Sequence, residues 1–136
     1  MIYDTNNHWK WLIQFHFIFS TKYRRNIFKN SIILNRTKEL MLECSKQKDF
    51  DIITQEIDSS KPNHWHGLIK SNNFLAPDMI VNVLKSYTTY HLWQEFTNYL
   101  KQFYWKKHNL WTRGYFCSSI GNANEETIKN YIDNQG

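Results

Sequence analysis

His64 and His66 flank Trp65 in the stretch Asn63-His64-Trp65-His66-Gly67. If this stretch is a strand, its pleat turns both imidazoles to one face and the indole to the other. Two neutral imidazoles side by side each offer a lone pair, and together they can hold one divalent metal. Two polar side chains on a wet sheet face is the plainer reading of the same pattern. A metal would also need a third ligand from elsewhere. Near the C-terminus, Tyr131 and Gln135 stand four apart on one face of an expected helix, beside an apolar stripe of Ile128 and Ile132. A phenol and an amide oxygen could be presented together to a metal there. A half-buried tyrosine and a terminal glutamine on an amphipathic helix also fit. Glu56 is a candidate outer ligand or acid, or simply an edge-strand surface residue. His16 is a candidate for hydrogen bonding or nucleic-acid contact. Cys117 is expected in the core rather than as a nucleophile, and four glycines make no phosphate-cradling loop.

These side chains need elements to hold them. From Trp11 to Phe19 every odd position is apolar, while Gln14 and His16 fall on even ones. Period two predicts a strand with one core face and one open face that carries His16. A polar bend follows at Ser20 to Arg25. Ile33, Leu40, Met41 and Cys44 fall near helical spacing, which predicts a helix from about Ser31 to Lys48. A second strand is expected at Phe50 to Ile57, a turn at Asp58 to Asn63, and a third strand at His64 to Lys70, paired as an antiparallel hairpin. Pro77 and Asp78 open a helix with Ile80, Val83, Leu84 and Tyr87 at helical intervals, running to about Tyr99. Residues 98–110 are ambiguous between helix extension and loop. A fourth strand fits Gly114 to Ile120. Asn122 or Asn124 then caps a last helix, with Glu125 and Glu126 in its first turn. The order βαββαβα lacks the alternation of a parallel sheet. It points to an α+β domain over residues 1–136, a mostly antiparallel sheet with helices on one face.

Composition narrows the function classes. The chain has 136 residues, 17 Lys and Arg against 12 Asp and Glu, and 17% aromatic residues. Positive charge lies in two blocks, residues 1–50 and 61–113, each laced with aromatics. The densest spots are Lys22-Tyr23-Arg24-Arg25 and Tyr104-Trp105-Lys106-Lys107-His108. Cations neutralise phosphates and flat rings stack on unpaired bases, which suits single-stranded nucleic acid. A solvated basic surface with its rings in the core is the alternative. No apolar run approaches the roughly 20 residues needed to span a bilayer. No leader-like pattern opens the sequence, and two cysteines make no disulfide framework, so a cytoplasmic, reducing location is expected.

Taken together, His-hydrophobic-His on a strand and one tyrosine on a late helix resemble the HUH endonuclease superfamily. Within it the chain resembles the small single-tyrosine transposases of bacterial insertion sequences, the insertion-sequence-200-like group. The similarity runs through HFIFSTKYRRNIF at 16–28, NHWHGLI at 63–69, VLKSYTTYHL at 83–92, LWTRGYFCSSIG at 110–121 and ETIKNYIDNQ at 126–135. The resemblance implies an RRM-like (ferredoxin-like) antiparallel sheet carrying the histidines. It makes His64, His66 and Gln135 ligands of Mg²⁺ or Mn²⁺, and Tyr131 the nucleophile that forms a 5′-phosphotyrosine. Lys22, Tyr23, Arg24, Arg25, Lys85 and Arg113 would contact DNA. A homodimer acting on single-stranded DNA with hairpins at the element ends is implied as well. Three positions depart from the family pattern: Trp65 stands where an aliphatic residue is usual, Gly67 where leucine is more frequent, and Ser86 where glycine commonly follows the helix lysine. A non-catalytic RRM-like binder of single-stranded nucleic acid is the alternative from another class, and a covalent protein–DNA adduct separates the two.

Overall fold

Phe15, Phe17 and Phe19 occupy every second position, and in the computed structural model this segment is strand β1, Ile13–Ser20. The structure describes residues 13–71 and 75–121. Three further strands follow: β2, Phe50–Glu56; β3, His64–Ser71; and β4, Phe116–Gly121. Three helices separate them: α1, Ser31–Lys48; α2, Pro77–Glu95; and the short α3, Thr97–Leu100. The strand order is β2-β3-β1-β4, and every neighbouring pair is antiparallel. This is the ferredoxin-like sheet of the RRM and HUH folds, with helices on one face. The crossover through α1 sets β2 two places from β1. The hairpin after β2 then inserts β3 into the gap, so the strand with the histidines is bonded along both edges.

The core lies between the sheet and the helices. Phe17, Phe19, Trp65 and Ile69 project from the sheet and are fully buried with Ile33, Leu40 and Met41 of α1 and Ile80 and Leu84 of α2. Each such aliphatic or phenyl side chain contributes about 1.5–3 kcal/mol by leaving water. On α1 the buried positions Ile33, Thr37, Leu40, Met41 and Cys44 follow helical spacing. The Asn30 side chain starts this helix by accepting from the amides of Ile32 at 2.9 Å and Ile33 at 3.3 Å. Such a cap is typically worth about 1 kcal/mol. Asp49, at φ 61°, ends the helix in the left-handed region. Across the helix pair, Arg36 donates to Glu39, Glu43 and Glu95. That network is solvent-facing, and its stabilisation is about 1 kcal/mol or less per pair.

Several boundaries differ from expectation for local reasons. Helix α2 stops at Glu95 rather than near Tyr99, because Phe96 leaves helical geometry at φ −131° and ψ 40° before α3 resumes. The buried residues of α2 are Ile80, Val81, Leu84, Thr88, Leu92 and Trp93, whereas Val83 and Tyr87 are only partly buried. The fourth strand begins at Phe116, not Gly114. The Lys85 ammonium draws the carbonyls of Thr112, Arg113 and Gly114 to itself, at 2.7, 3.2 and 3.0 Å, and away from the ladder. The face expected to be open is also closed at its centre: Gln14, His16 and Leu68 have no exposed surface. Period two assigns residues to faces but cannot say which face is covered. Trp11 and the expected last helix lie outside the described residues.

Candidate active site

Strand β3 carries His64 and His66 on the sheet face opposite the helices. Trp65 points the other way into the core, where its indole N–H donates to Gln55 Oε1 at 2.9 Å. The Gln55 amide in turn donates to the Lys38 carbonyl of α1 at 3.0 Å, which ties the histidine strand to the helix layer. Gly67 shares the inner face with Trp65, and the indole lies over it. A methyl group there would sit 2.6 Å from Cη2 and Cζ2 of Trp65. Trp65 and Gly67 are therefore one packing solution: a large ring at 65 requires the absence of a side chain at 67.

On the outer face, His64 lies opposite Ser20 of β1, and His66 lies between Ile18 of β1 and Glu56 of β2. The two histidines border an open groove of about 600 Å³, whose lining includes Ile18, Arg24, Asn26 and Asp58. Nδ1 of each imidazole is buried and has no hydrogen-bond partner among the described residues. Burial, then the cations Arg24 and Lys61, lower the pKa of His64. Burial lowers that of His66 as well, partly offset by Glu56 and Asp58. Both shifts favour neutral imidazoles with lone pairs to donate. Same-face spacing, neutral rings and unsatisfied ring nitrogens suit a divalent cation. Among the described residues, no third His, Cys, Asp or Glu completes a metal-holding group with them. Tyr131 and Gln135 lie outside the described residues.

The His16 ring stands 6.0 Å from that of His66, edge-on, and 6.2 Å from that of Phe116. His16 therefore abuts the pair from the neighbouring strand, fully buried rather than on an open face as its sequence position suggests. Its pKa is lowered by burial and then by His66. Glu56 is exposed beside His66, where its charge favours protonation of that ring. Asp58, read from sequence as part of a plain turn, borders the groove as well. Its carboxylate accepts from the amide and hydroxyl of Ser60, both at 2.8 Å, which holds its pKa low. The hairpin geometry that brings Asp58 there is not visible in its residue type.

The basic segment after β1 divides. Asn63, immediately before His64, donates from its amide to the Arg24 carbonyl at 3.3 Å, and its own carbonyl accepts from Thr21 at 2.9 Å. These bonds place Arg24 at the histidine groove. Tyr23 and Arg25 instead border another cavity, with Trp105 and Lys106. Lys85, expected to contact DNA, has all three ammonium protons on the loop carbonyls of residues 112–114. It sits over the Phe19 ring, and burial lowers its pKa. These three bonds tie α2 to the loop before β4. Arg113, in that loop, has an exposed side chain. Burial pushes the Cys44 thiol up to about 11 and raises Cys117 too, so neither is poised as a nucleophile.

The family model described as "Transposase IS200 like" matches residues 9–135. The chain belongs to the IS200-like transposase family. Its members act in DNA transposition by insertion sequences, and the family supports an enzymatic role for this chain. Two curated relatives, the transposases for insertion sequence element IS200 of Salmonella typhimurium strain LT2 and of Salmonella typhi, are each 23% identical over 128 residues. The match covers 94% of this chain and 80% of each relative. Among solved structures, a candidate transposase from Deinococcus radiodurans R1 superposes with a TM-score of 0.72 at 23% identity, covering 98% of both chains. A REP-associated tyrosine transposase bound to a REP hairpin superposes with a TM-score of 0.59 at 10% identity, over 97% of this chain and 69% of that one. These likenesses agree with the fold expected from sequence. No helix among the described residues is long and apolar enough to cross a membrane.

Proposed function

We propose that the chain cuts and rejoins single-stranded DNA at hairpin-marked element ends, with Tyr131 as nucleophile. The observation that carries this reading is the same-face pair His64 and His66, with buried, unpartnered ring nitrogens, bordering a groove that also holds Arg24. The Tyr131 phenol oxygen attacks a backbone phosphorus. A P–O bond to tyrosine forms as the P–O3′ bond breaks, the phenol loses its proton, and the departing oxygen gains one as a 3′-hydroxyl. Attack by another 3′-hydroxyl on the 5′-phosphotyrosine reverses the step and joins strands. Each exchange replaces one phosphodiester by another, so no external energy source is needed. His64, His66 and Gln135 would hold Mg²⁺ or Mn²⁺, which supplies Lewis-acid polarisation of the scissile phosphate and a template for in-line attack. Arg24 places a fixed positive charge beside the same groove, where a phosphate entering toward the histidines is stabilised. The hairpin bound by the REP-associated relative supports hairpin DNA as the substrate, and the family resemblance supports a homodimer.

A denaturing gel with end-labelled hairpin DNA tests the reaction. Wild type should retain label covalently, and Tyr131→Phe and His64→Ala should not, while both keep the fold. Mixing those two variants should restore some adduct if the dimer shares its sites between chains. Full-rate cleavage in excess EDTA, or an adduct formed by Tyr131→Phe, would refute the assignment. Absence of any adduct from wild type with either metal would favour a non-catalytic binder.

A further inference from the structure

Lys22 and Tyr104 are 82 residues apart in sequence, yet the Tyr104 hydroxyl donates to the Lys22 carbonyl at 2.8 Å. The Lys22 amide donates to the Leu110 carbonyl, also at 2.8 Å. The two densest basic-aromatic stretches are thereby laced into one surface. On that seam Tyr23, Arg25, Phe103, Tyr104, Trp105 and Lys106 border an open cavity of about 260 Å³, and no acidic residue joins them. Two of its rings face water: Trp105 is 71% exposed and Tyr23 66%. Buried Tyr104 supplies the floor and anchors the loop.

The backbone at this point is held in an uncommon shape. Tyr23 at φ 59° and Arg24 at φ 53° are consecutive left-handed residues, neither of them glycine. The bond from the Arg24 amide to the Thr21 carbonyl at 2.9 Å, and that from the Thr21 hydroxyl to the Arg25 carbonyl at 2.7 Å, fix this turn. The turn splits adjacent side chains between two places, with Arg24 at the histidine groove and Tyr23 and Arg25 at the aromatic cavity. Lys22 Nζ and the Arg25 guanidinium already lie 5.5 and 5.9 Å from the centre of the Tyr23 ring. The turn thus holds an uncommon backbone conformation in a loop that presents the Tyr23 ring to solvent.

We propose that this second cavity receives an unpaired base of the DNA, stacked on Tyr23 and Trp105, with its flanking phosphates on Arg25 and Lys106. Exposed rings supply sequence-tolerant stacking, and the purely cationic surround matches a phosphate backbone rather than an acidic or apolar peptide. The inference rests on reading the chain as an enzyme of single-stranded DNA. It adds a base-holding site apart from the histidine groove, joined to it by the single turn at residues 23–24. A strand could thus be gripped at one side of the turn while a phosphate is presented at the other.

The test uses a DNA hairpin carrying one unpaired 2-aminopurine, beside a fully paired hairpin of equal length. Binding of wild type should quench the 2-aminopurine. Trp105→Ala and Tyr23→Ala should abolish the quench and weaken binding of this hairpin about tenfold or more, with little change for the paired one. Trp105→Phe should restore most of the affinity, and an unchanged melting temperature of Trp105→Ala shows that its fold is intact. Unchanged quench and affinity in both alanine variants, or equal loss on the paired hairpin, would overturn the base site. Covalent adduct is read in parallel. Wild type that quenches without ever forming adduct leaves the base site standing and removes the proposed reaction. Normal adduct with no effect of either alanine does the reverse.

Discussion

Gly67→Ala should destabilise the protein through a single steric conflict. The added methyl would lie 2.6 Å from Cη2 and Cζ2 of Trp65 and 3.3 Å from the Thr54 carbonyl oxygen. The indole cannot easily retreat, since Trp65 is fully buried against the Phe19 ring, 4.9 Å away, and its N–H is bonded to Gln55. Overpacking of this kind costs about 1–3 kcal/mol, and the immobility of the ring places the expected loss near ~2 kcal/mol. Trp65→Phe removes the two atoms that clash. In that background Gly67→Ala should cost well under ~1 kcal/mol, giving a coupling of about 1–2 kcal/mol between neighbouring sites. Urea unfolding of the four proteins of the cycle measures this as midpoint shifts at constant m-value. Trp65→Phe alone will be destabilised by its lost hydrogen bond and volume, which the cycle subtracts. An unchanged midpoint for Gly67→Ala, or the same loss in both backgrounds, would refute the steric account.

Two further outcomes are expected. Lys85→Met should lose about 2 kcal/mol, because three loop carbonyls lose a charged donor. The salt dependence of its DNA binding should keep the wild-type slope; a slope lower by about 0.9 would show that Lys85 neutralises a phosphate instead. His16, His64 and His66 all have pKa values lowered from the ordinary 6.5, chiefly by burial. Below that value the unfolded chain binds protons that the folded chain refuses, so their contribution to stability is complete above 6.5 and is lost as pH falls through the lowered values. The melting temperature should therefore drop from about pH 7 to about pH 5, less steeply in His16→Asn, and a melting temperature rising with acid would contradict the burial argument.

The elements were largely legible because each is local. Asn30 before an apolar helical spacing marks α1, and the alternating phenylalanines mark β1. The short turn from Asp58 to Asn63 makes β2 and β3 a hairpin. What escaped depends on contacts far apart in the chain. Nothing near Lys85 says that residues 112–114 will capture its ammonium, and nothing near His16 says that its face of the sheet is covered. The histidine pair was readable from strand parity. Arg24, by contrast, is one of three cations in its stretch, and only the left-handed turn separates it from Tyr23 and Arg25. Asp58 carries no motif and reaches the groove through the hairpin alone.

The position of β3 between β1 and β2 bears on how the site can move. Amides of an interior strand are bonded on both sides, so they exchange with solvent deuterium only when the sheet itself opens. The backbone at His66, paired with Ile18 of β1 and Glu56 of β2, should accordingly be among the slowest-exchanging in the protein, while the outer strands β2 and β4 can fray at less cost. Local breathing is then unavailable as a way to reshape the histidine side of the site. Any adjustment to incoming DNA has to be made by what meets this strand from outside, against a backbone that stays fixed.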